Sequence, residues 1–457
     1  MNLCSNIPVR LQGVRILLLA VLCGATSCTT VRRAREAQRE DGVPAGERTV
    51  TAAEVGISSN TVLSLEAAER VALAYQPSIT QARQALTNAA AEVRAAYAAY
   101  LPSVDAQAGY GRATHNVAGG AGGNKSSGAY SASVGLDQTL FDFGRTPASC
   151  RQAVLQRDAA EADLRAREND VAYQVRLAYY ELGRAQELLR VAEDTERQYQ
   201  VRLNQTRTFM VVGRRIRYDV TKAEVDLGNA RLGVVKASNS VLTARADLNK
   251  ALGLAEEPGY TIAPVAVEPF AESADAIWEK ARREHPELAS LHSEQRAASA
   301  AVDAAIADLY PSLGLNGAYE LSGTGFPLVW NWTLGGRLGA TLFSGGRKLS
   351  RIDGAVALLR SARAAVAARE QQLRLELSKA WAQLESARKR MDLSGLIVKQ
   401  ARESLDLVQQ RYNVGGASSV ELTDAQVALT AALAEEVQAR FDCQEAVAAI
   451  KKTAGGR

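Results

Sequence analysis

The feature that most constrains this chain is a hydrophobic seam inside the stretch from Arg347 to Val414. Its positions are Leu373, Leu377, Ala380, Leu384, Ala387, Met391, Ser394, Val398, Ala401, Leu405, Val408 and Tyr412. The steps between them alternate four and three, the 3.5-residue repeat of a helix that supercoils against neighbours. No Pro interrupts the seam, and Gly395 falls off it. A helix from 347 to 414 spans roughly 100 Å at 1.5 Å per residue, far more than the usual three turns. Such a helix needs partners along its whole length.

The same element occurs earlier, in the same phase: Val171, Val175, Ala178, Leu182, Ala185, Leu189, Ala192, Glu196, Tyr199, Leu203, Thr206 and Met210. The first copy ends at Val212-Gly213 and the second at Val414-Gly415-Gly416. Other landmarks repeat as well. Gln76-Pro77 returns as His285-Pro286, and Leu101-Pro102 as Tyr310-Pro311. The chain is a tandem duplication. Its division reads as a signal peptide (1–27), an extended N-terminal arm (28–60), a first repeat (61–253), a linker (254–271) and a second repeat (272–457). Each repeat holds a helix broken at X-Pro, a hairpin, a long helix and a return helix, the short helix before the second X-Pro being expected at Trp278–Glu284. The strands are expected at 102–140 and 312–343 and the helix tips near 213 and 415.

The hairpins show where the period changes to two. Val104, Ala106, Ala108 and Tyr110 alternate with Asp105, Gln107 and Gly109, and Tyr130, Ala132, Val134, Leu136 and Leu140 with small or polar residues. In the second repeat Trp330, Trp332, Leu334 and Leu338 alternate with Asn331, Thr333, Gly335 and Arg337. Four strands of about ten residues, apolar on one face and polar on the other, suit a tilted membrane strand. On this reading Trp330 and Trp332 sit in an interfacial girdle. Four strands cannot close a barrel, and an open edge is not tolerated in lipid. Closure therefore has to come from other copies of the chain.

Arg10 and Arg15 precede the apolar run Ile16–Leu22 and small residues, the order of an export signal. The run is too short to span a bilayer. Ala25-Thr26-Ser27-Cys28 resembles a bacterial lipobox, with Ala25 in place of the usual Leu, which makes Cys28 the expected lipidation site. The plainer alternative is ordinary cleavage nearby, with Cys28 an incidental thiol. Cys150 and Cys443 do not suggest a disulfide framework. Aromatic residues make up only 5% of the chain, and its abundant Ala suits close helix packing. A net charge of +4 shows no nucleic-acid footprint. No phosphate loop or nucleophile elbow is present, and His115, His285 and His292 have no companions for metal or catalysis. The chain does not read as an enzyme, and no cofactor or metal is expected.

The hairpins, their exits Leu140-Phe141-Asp142-Phe143-Gly144-Arg145 and Leu342-Phe343-Ser344-Gly345-Gly346-Arg347, and the second tip Arg411 to Ala425 together resemble the TolC-type outer-membrane efflux protein family. The resemblance covers about Ser64 to Ala454. It implies a mainly α fold with a membrane β-barrel portion: an α-helical barrel of long coiled coils, plus four strands per chain closing a 12-stranded barrel in a homotrimer. It also implies an outer-membrane location with an extension into the periplasm, a periplasmic adaptor protein and an inner-membrane pump. A lipidated start is similar to members serving drug-exporting resistance-nodulation-division pumps. The implied function is a passive exit duct for small molecules. The alternatives are the channel of a type I protein secretion system and, in a different class, a periplasmic coiled-coil structural protein.

The resemblance also nominates residues at the tips. Glu421 and Asp424, three apart on one helix face, match the family's acidic gate, and several copies would form a carboxylate ring that attracts cations. The alternative is a solvated helix start whose acids offset the helix dipole. Tyr412 and Asp219 occupy positions of the family's closing latch, while Ala417 stands where the family has Arg. Arg214, Arg215 and Arg217 on the opposite tip are candidates to compensate. Gly213, Arg214, Arg215, Gly415 and Gly416 resemble the adaptor-docking tips, though Gly there also serves simply to stop a helix.

Overall fold

The computed structural model describes residues 30–32, 34, 35, 37, 50–57, 62–115, 125–213, 215–255, 258–264 and 270–456. The first repeat comprises β1 (Val62–Leu63), α1 (Leu65–Tyr75), α2 (Pro77–Ala98), β2 (Ser103–His115), β3 (Lys125–Phe141), α3 (Arg145–Val211) and α4 (Arg217–Leu252). The second comprises β4 (Thr261–Ile262), α5 (Ala274–Glu284), α6 (Pro286–Ala307), β5 (Ser312–Gly323), β6 (Val329–Gly339), α7 (Arg347–Asn413) and α8 (Ser419–Thr453). The helices α3 and α7 have 67 residues each, so each is roughly 100 Å long.

The seams lie where the periodicity puts them. Every seam position of α7 is buried or half-buried, and Met210 alone is exposed among those of α3. The shorter helices stack end to end beside the long ones. At the joint between α4 and α2, Gln76 donates to the carbonyls of Lys250 and Ala251, both at 3.3 Å. Gly253, in the left-handed region at φ 80°, lets the α4 terminus close against the Tyr75 carbonyl. The second repeat uses the same joint, with Gly455 against His285. Tyr179 on α3 pins the short parallel β1–β4 ladder, its hydroxyl 2.9 Å from the Leu63 carbonyl and 3.0 Å from that of Ala263.

The two hairpins join into one antiparallel sheet in the order β2-β3-β5-β6. Directly paired residues share a face, and the register carries one apolar surface across all four strands: Ala106 beside Val134, Val134 beside Tyr319, Tyr319 beside Trp332. Gln138 and, toward the far end of β2, Arg112 are polar residues on that face. The opposite face carries Asp105, Gln107, Ser133, Asp137, Asn316, Glu320, Thr333 and Arg337.

Four expectations need correction. The strands have 13, 17, 12 and 11 residues rather than about ten. The interior strand β3, paired on both sides, continues to Phe141, across a bulge that sets Phe141 opposite Leu313. The last strand stops at Gly339 rather than 343, because β6 is an edge strand and its one neighbour among the described residues begins at Ser312. Leu342 is left outside the ladder, 97% exposed, before Gly345 and Gly346 turn into α7 with positive φ. Thirdly, α5 begins at Ala274 rather than Trp278, because Ser273 caps it by accepting from the Ala276 N–H. Finally, the described residues between 30 and 37 are helical, not extended. Ala and Arg there favour helix even without an amphipathic period.

Helix neighbours fix the lateral order. Around the lower half it is α4-α3-α8-α7, and around the upper half α2-α3-α6-α7. One lateral edge of the protomer is therefore β2, α2 and α4, and the other is β6 and α7. Both the sheet edges and the helix edges are open, on corresponding sides.

Candidate functional site: the helix tips and the apolar sheet face

At the lower end, α3 turns into α4 through Gly213 (φ 75°) and α7 into α8 through Gly415 (φ 85°). Both need the left-handed region that a Cβ disfavours. Gly416 has an ordinary φ and closes its turn by donating to the Arg411 carbonyl at 2.8 Å.

Glu421 is built into the start of α8. Its carboxylate accepts from the Ser418 N–H and the Ser418 hydroxyl accepts from the Glu421 N–H, both at 3.2 Å, a reciprocal capping box. Arg411 lies 3.5 Å away on its other side. The two Ser418 bonds hold the Glu421 carboxyl below the usual carboxylate range, against an opposing desolvation, and Arg411 adds the least. Asp424 is exposed one turn on, with no hydrogen bond or ion pair among the described residues. Of the two nominated acids, one is occupied by the helix start and the other is free.

Tyr412 and Asp219 do not meet. Asp219 accepts from the Ser419 hydroxyl at 3.0 Å. The Tyr412 ring is 1% exposed, packed with Ala417, Leu422, Phe209, Leu405 and Val408, and its hydroxyl has no hydrogen-bond partner among the described residues. The contact with the first tip comes instead from Arg215. Its guanidinium carbon lies 4.2 Å from the centre of the Tyr412 ring, and a guanidinium nitrogen is 3.4 Å from both the Tyr412 and Ala417 carbonyls. Arg214 and Cys28 lie outside the described residues.

Sequence reasoning missed Arg202. It is buried, donates to the Ser419 carbonyl at 2.7 Å and leaves two guanidinium nitrogens without a partner among the described residues. It occupies an α3 position beside the seam residue Leu203, where an Arg normally reads as solvated. Thr423 adds a further cross-tip bond to Asp226 at 3.3 Å. The two hairpins of the protomer are thus stitched together at the tips by polar contacts.

At the opposite end, the apolar sheet face is exposed and bordered by aromatics. Trp330 and Trp332 are 61% and 66% exposed, and Trp330 stacks on Tyr319 at 6.4 Å. Tyr110, Tyr130 and Phe326 form a chain of rings 4.8 and 5.3 Å apart. At the helix end of the sheet Phe141, Phe143 and Tyr310 form another, at 4.8 and 5.4 Å. Tyr130 and Phe141 mark the two bands on one strand. Eleven rises separate them, about 36 Å of strand, or roughly 28 Å of height at a tilt near 40°. A lipid-facing apolar band between aromatic girdles has that height.

A family model described as "Outer membrane efflux protein" matches residues 70–254 and 277–456. Among curated proteins, the chain is similar to outer membrane efflux protein BepC of Brucella suis, 26% identical over 326 residues, with 70% of this chain and 71% of that protein covered. Protein CyaE of Bordetella pertussis is 29% identical over 386 residues, covering 80% and 78%. Alkaline protease secretion protein AprF of Pseudomonas aeruginosa is 24% identical over 336 residues, covering 71% and 69%. Among solved structures, that of CusC has a TM-score of 0.78 at 18% identity, over 86% of this chain and 92% of that one. The CmeC outer membrane channel of Campylobacter jejuni also has a TM-score of 0.78, at 17% identity, over 86% and 85%.

Proposed function

The chain belongs to the outer membrane efflux protein family, and from that premise we propose that it is the outer-membrane channel component of a tripartite efflux system, a passive exit duct for small molecules opened at its periplasmic tips by an adaptor protein. The observation that carries the reading is the sheet. One face is apolar across four strands, bordered by two aromatic bands a bilayer's height apart, and both of its edges are open. Lipid tolerates no open edge, and the helix edges are open on the same sides. Side-by-side addition of identical protomers pairs β6 and α7 of one copy with β2, α2 and α4 of the next. Three copies give the twelve strands that the family resemblance implies.

In this assembly the tips point into the periplasm toward the adaptor and the inner-membrane pump. Gly213, Arg215, Gly415 and Gly416 lie at the docking end, where the resemblance also puts Arg214, and Trp330 and Trp332 sit in the distal girdle. Asp424 supplies the free carboxylate of the acidic constriction. Acylation at Cys28 anchors the N-terminus to lipid.

A second reading, the channel of a protein secretion system, is favoured by the name of the relative AprF. The two share the duct and differ in cargo. The test is a native mass spectrum of the detergent-extracted outer-membrane fraction. A trimer of chains starting at an acylated Cys28 is expected. An unacylated monomer in the soluble periplasmic extract would refute the duct. Cargo is separated by deleting the gene and following accumulation of a fluorescent small-molecule pump substrate against release of secreted protein.

A further inference from the structure

The cross-tip contacts bring a cation to Ala417, where this chain lacks the Arg of the family pattern, and they bring it from the opposite hairpin. We propose that Arg215 is the residue that holds the periplasmic mouth of the duct shut, as a clamp reaching from the α3–α4 tip onto Tyr412 and Ala417 of the α7–α8 tip. The inference rests on the duct reading and names a regulating residue within it.

Three observations converge on Arg215. First, its guanidinium covers the Tyr412 ring at 4.2 Å, within the range of a cation–π contact. Secondly, its fork reaches the carbonyls of Tyr412 and Ala417 at 3.4 Å each. A helix C-terminus leaves its last carbonyls without intrahelical partners and attracts cations; Tyr412 belongs to the last turn of α7, and Ala417 immediately precedes the cap of α8. Thirdly, Tyr412 is 1% exposed and its hydroxyl is buried without a partner among the described residues. The ring, not the hydroxyl, therefore makes the contact between the hairpins.

Ala417 then has a reason of its own. It is 7% exposed and packed with Tyr412 and Leu422 beneath the guanidinium. An Arg at this position has no room in that cluster and sets a second guanidinium beside Arg215. The latch has inverted polarity: the cation comes from the first tip and the acceptors from the second. Asp219, engaged by Ser419, stands outside it. Restoring the family's residue at 417 therefore opens this protein instead of closing it.

The test uses the full-length, detergent-extracted oligomer in planar lipid bilayers, each variant first checked for the wild-type oligomeric mass. Arg215→Ala and Tyr412→Leu raise open probability on the order of tenfold, the factor carried by one partly desolvated cation–π contact. Arg215→Lys lies between them and wild type, since an ammonium keeps the charge but loses the fork. Tyr412→Phe stays at or below the wild-type open probability, because it keeps the ring and removes an unsatisfied hydroxyl. Ala417→Arg raises it. Wild-type behaviour of Arg215→Ala, or a Tyr412→Phe variant as open as Tyr412→Leu, overturns the clamp. Hydrogen exchange at residues 414–422 gives a second readout that needs no current. If wild type passes none while Arg215→Ala conducts, the clamp holds. If no variant conducts, the duct reading fails and the clamp of its mouth falls with it, whereas conduction by every variant with unchanged exchange removes the clamp and leaves the duct. If Arg215→Ala does not assemble, Arg215→Lys and Tyr412→Phe decide by the same two readouts.

Discussion

At the scale of single residues, the duplication makes each position interpretable through its twin. Gln76 and His285 both stand before a Pro, at the joint where a return helix ends. The Gln side chain bonds two carbonyls there, whereas the His is 6% exposed with Nδ1 unpartnered among the described residues and the Gly455 backbone against its Cα. Burial lowers its pKa. Of the charged groups that face it, Glu287 and Glu376 favour the proton and Arg369 and Lys452 oppose it. With the folded pKa below the ordinary value near 6.5, the unfolded chain takes up the proton first. Stability is therefore complete above about pH 6.5 and falls as the pH drops through the folded value. Replacing His285 by Gln, as in the first repeat, should flatten that part of the profile; melting temperatures of wild type and variant between pH 7.5 and 5.5 measure it. The acids at the second tip separate in the same way. Glu421 is spent on the cap, so Glu421→Gln, which still caps, should leave cation preference in bilayers nearly unchanged. Asp424→Asn should lower it, and equal effects of the two would place both in the constriction.

At the scale of elements, the long helices, the X-Pro breaks, both tips and the alternating strands were legible because each is a local periodicity or a local stop. The misreadings mark where neighbours decide. The length of β3 depends on having partners on both sides, and the end of β6 on having one. The landing place of Arg215 depends on two tips almost two hundred residues apart in sequence being brought together. A cap such as Ser273 is a single-residue signal, easily lost in a polar stretch. The seam itself should be energetically ordinary core. Leu384 is 1% exposed among Leu377, Ala380, Ala387, Val447 and Ile450. Leu384→Ala should cost about 3 kcal/mol in chemical denaturation, as transfer and cavity terms add. Beside it, Asp442 takes ion pairs from Arg184 and Arg390, so α3, α7 and α8 are tied at one height. Partly exposed pairs of this kind contribute less than the seam.

At the scale of the whole molecule, what remains exposed argues for copies. On α4 the outward residues Tyr218, Val225 and Leu232 recur every seven positions, a period that suits a coiled-coil partner. On α7, Leu407, Leu396 and Leu393 are exposed. Counted from the tips at 1.5 Å per residue, Leu232 lies about 22 Å up and Leu396 about 25 Å up. The two stripes therefore face one another at the same height once the open edge of one protomer meets the opposite edge of the next. Neither leucine supports the fold of its own chain, so Leu232→Glu or Leu396→Lys should leave helix content by circular dichroism unchanged. Each should reduce the share of trimer in native mass spectra, since a lone charge is desolvated in the interface without a partner. The double variant sets opposite charges together and should recover part of the trimer. Recovery locates the seam between protomers on α4 and α7. Singles that assemble normally, or a double worse than both, would mean that protomers meet along other faces and that the sheet closes in some other order.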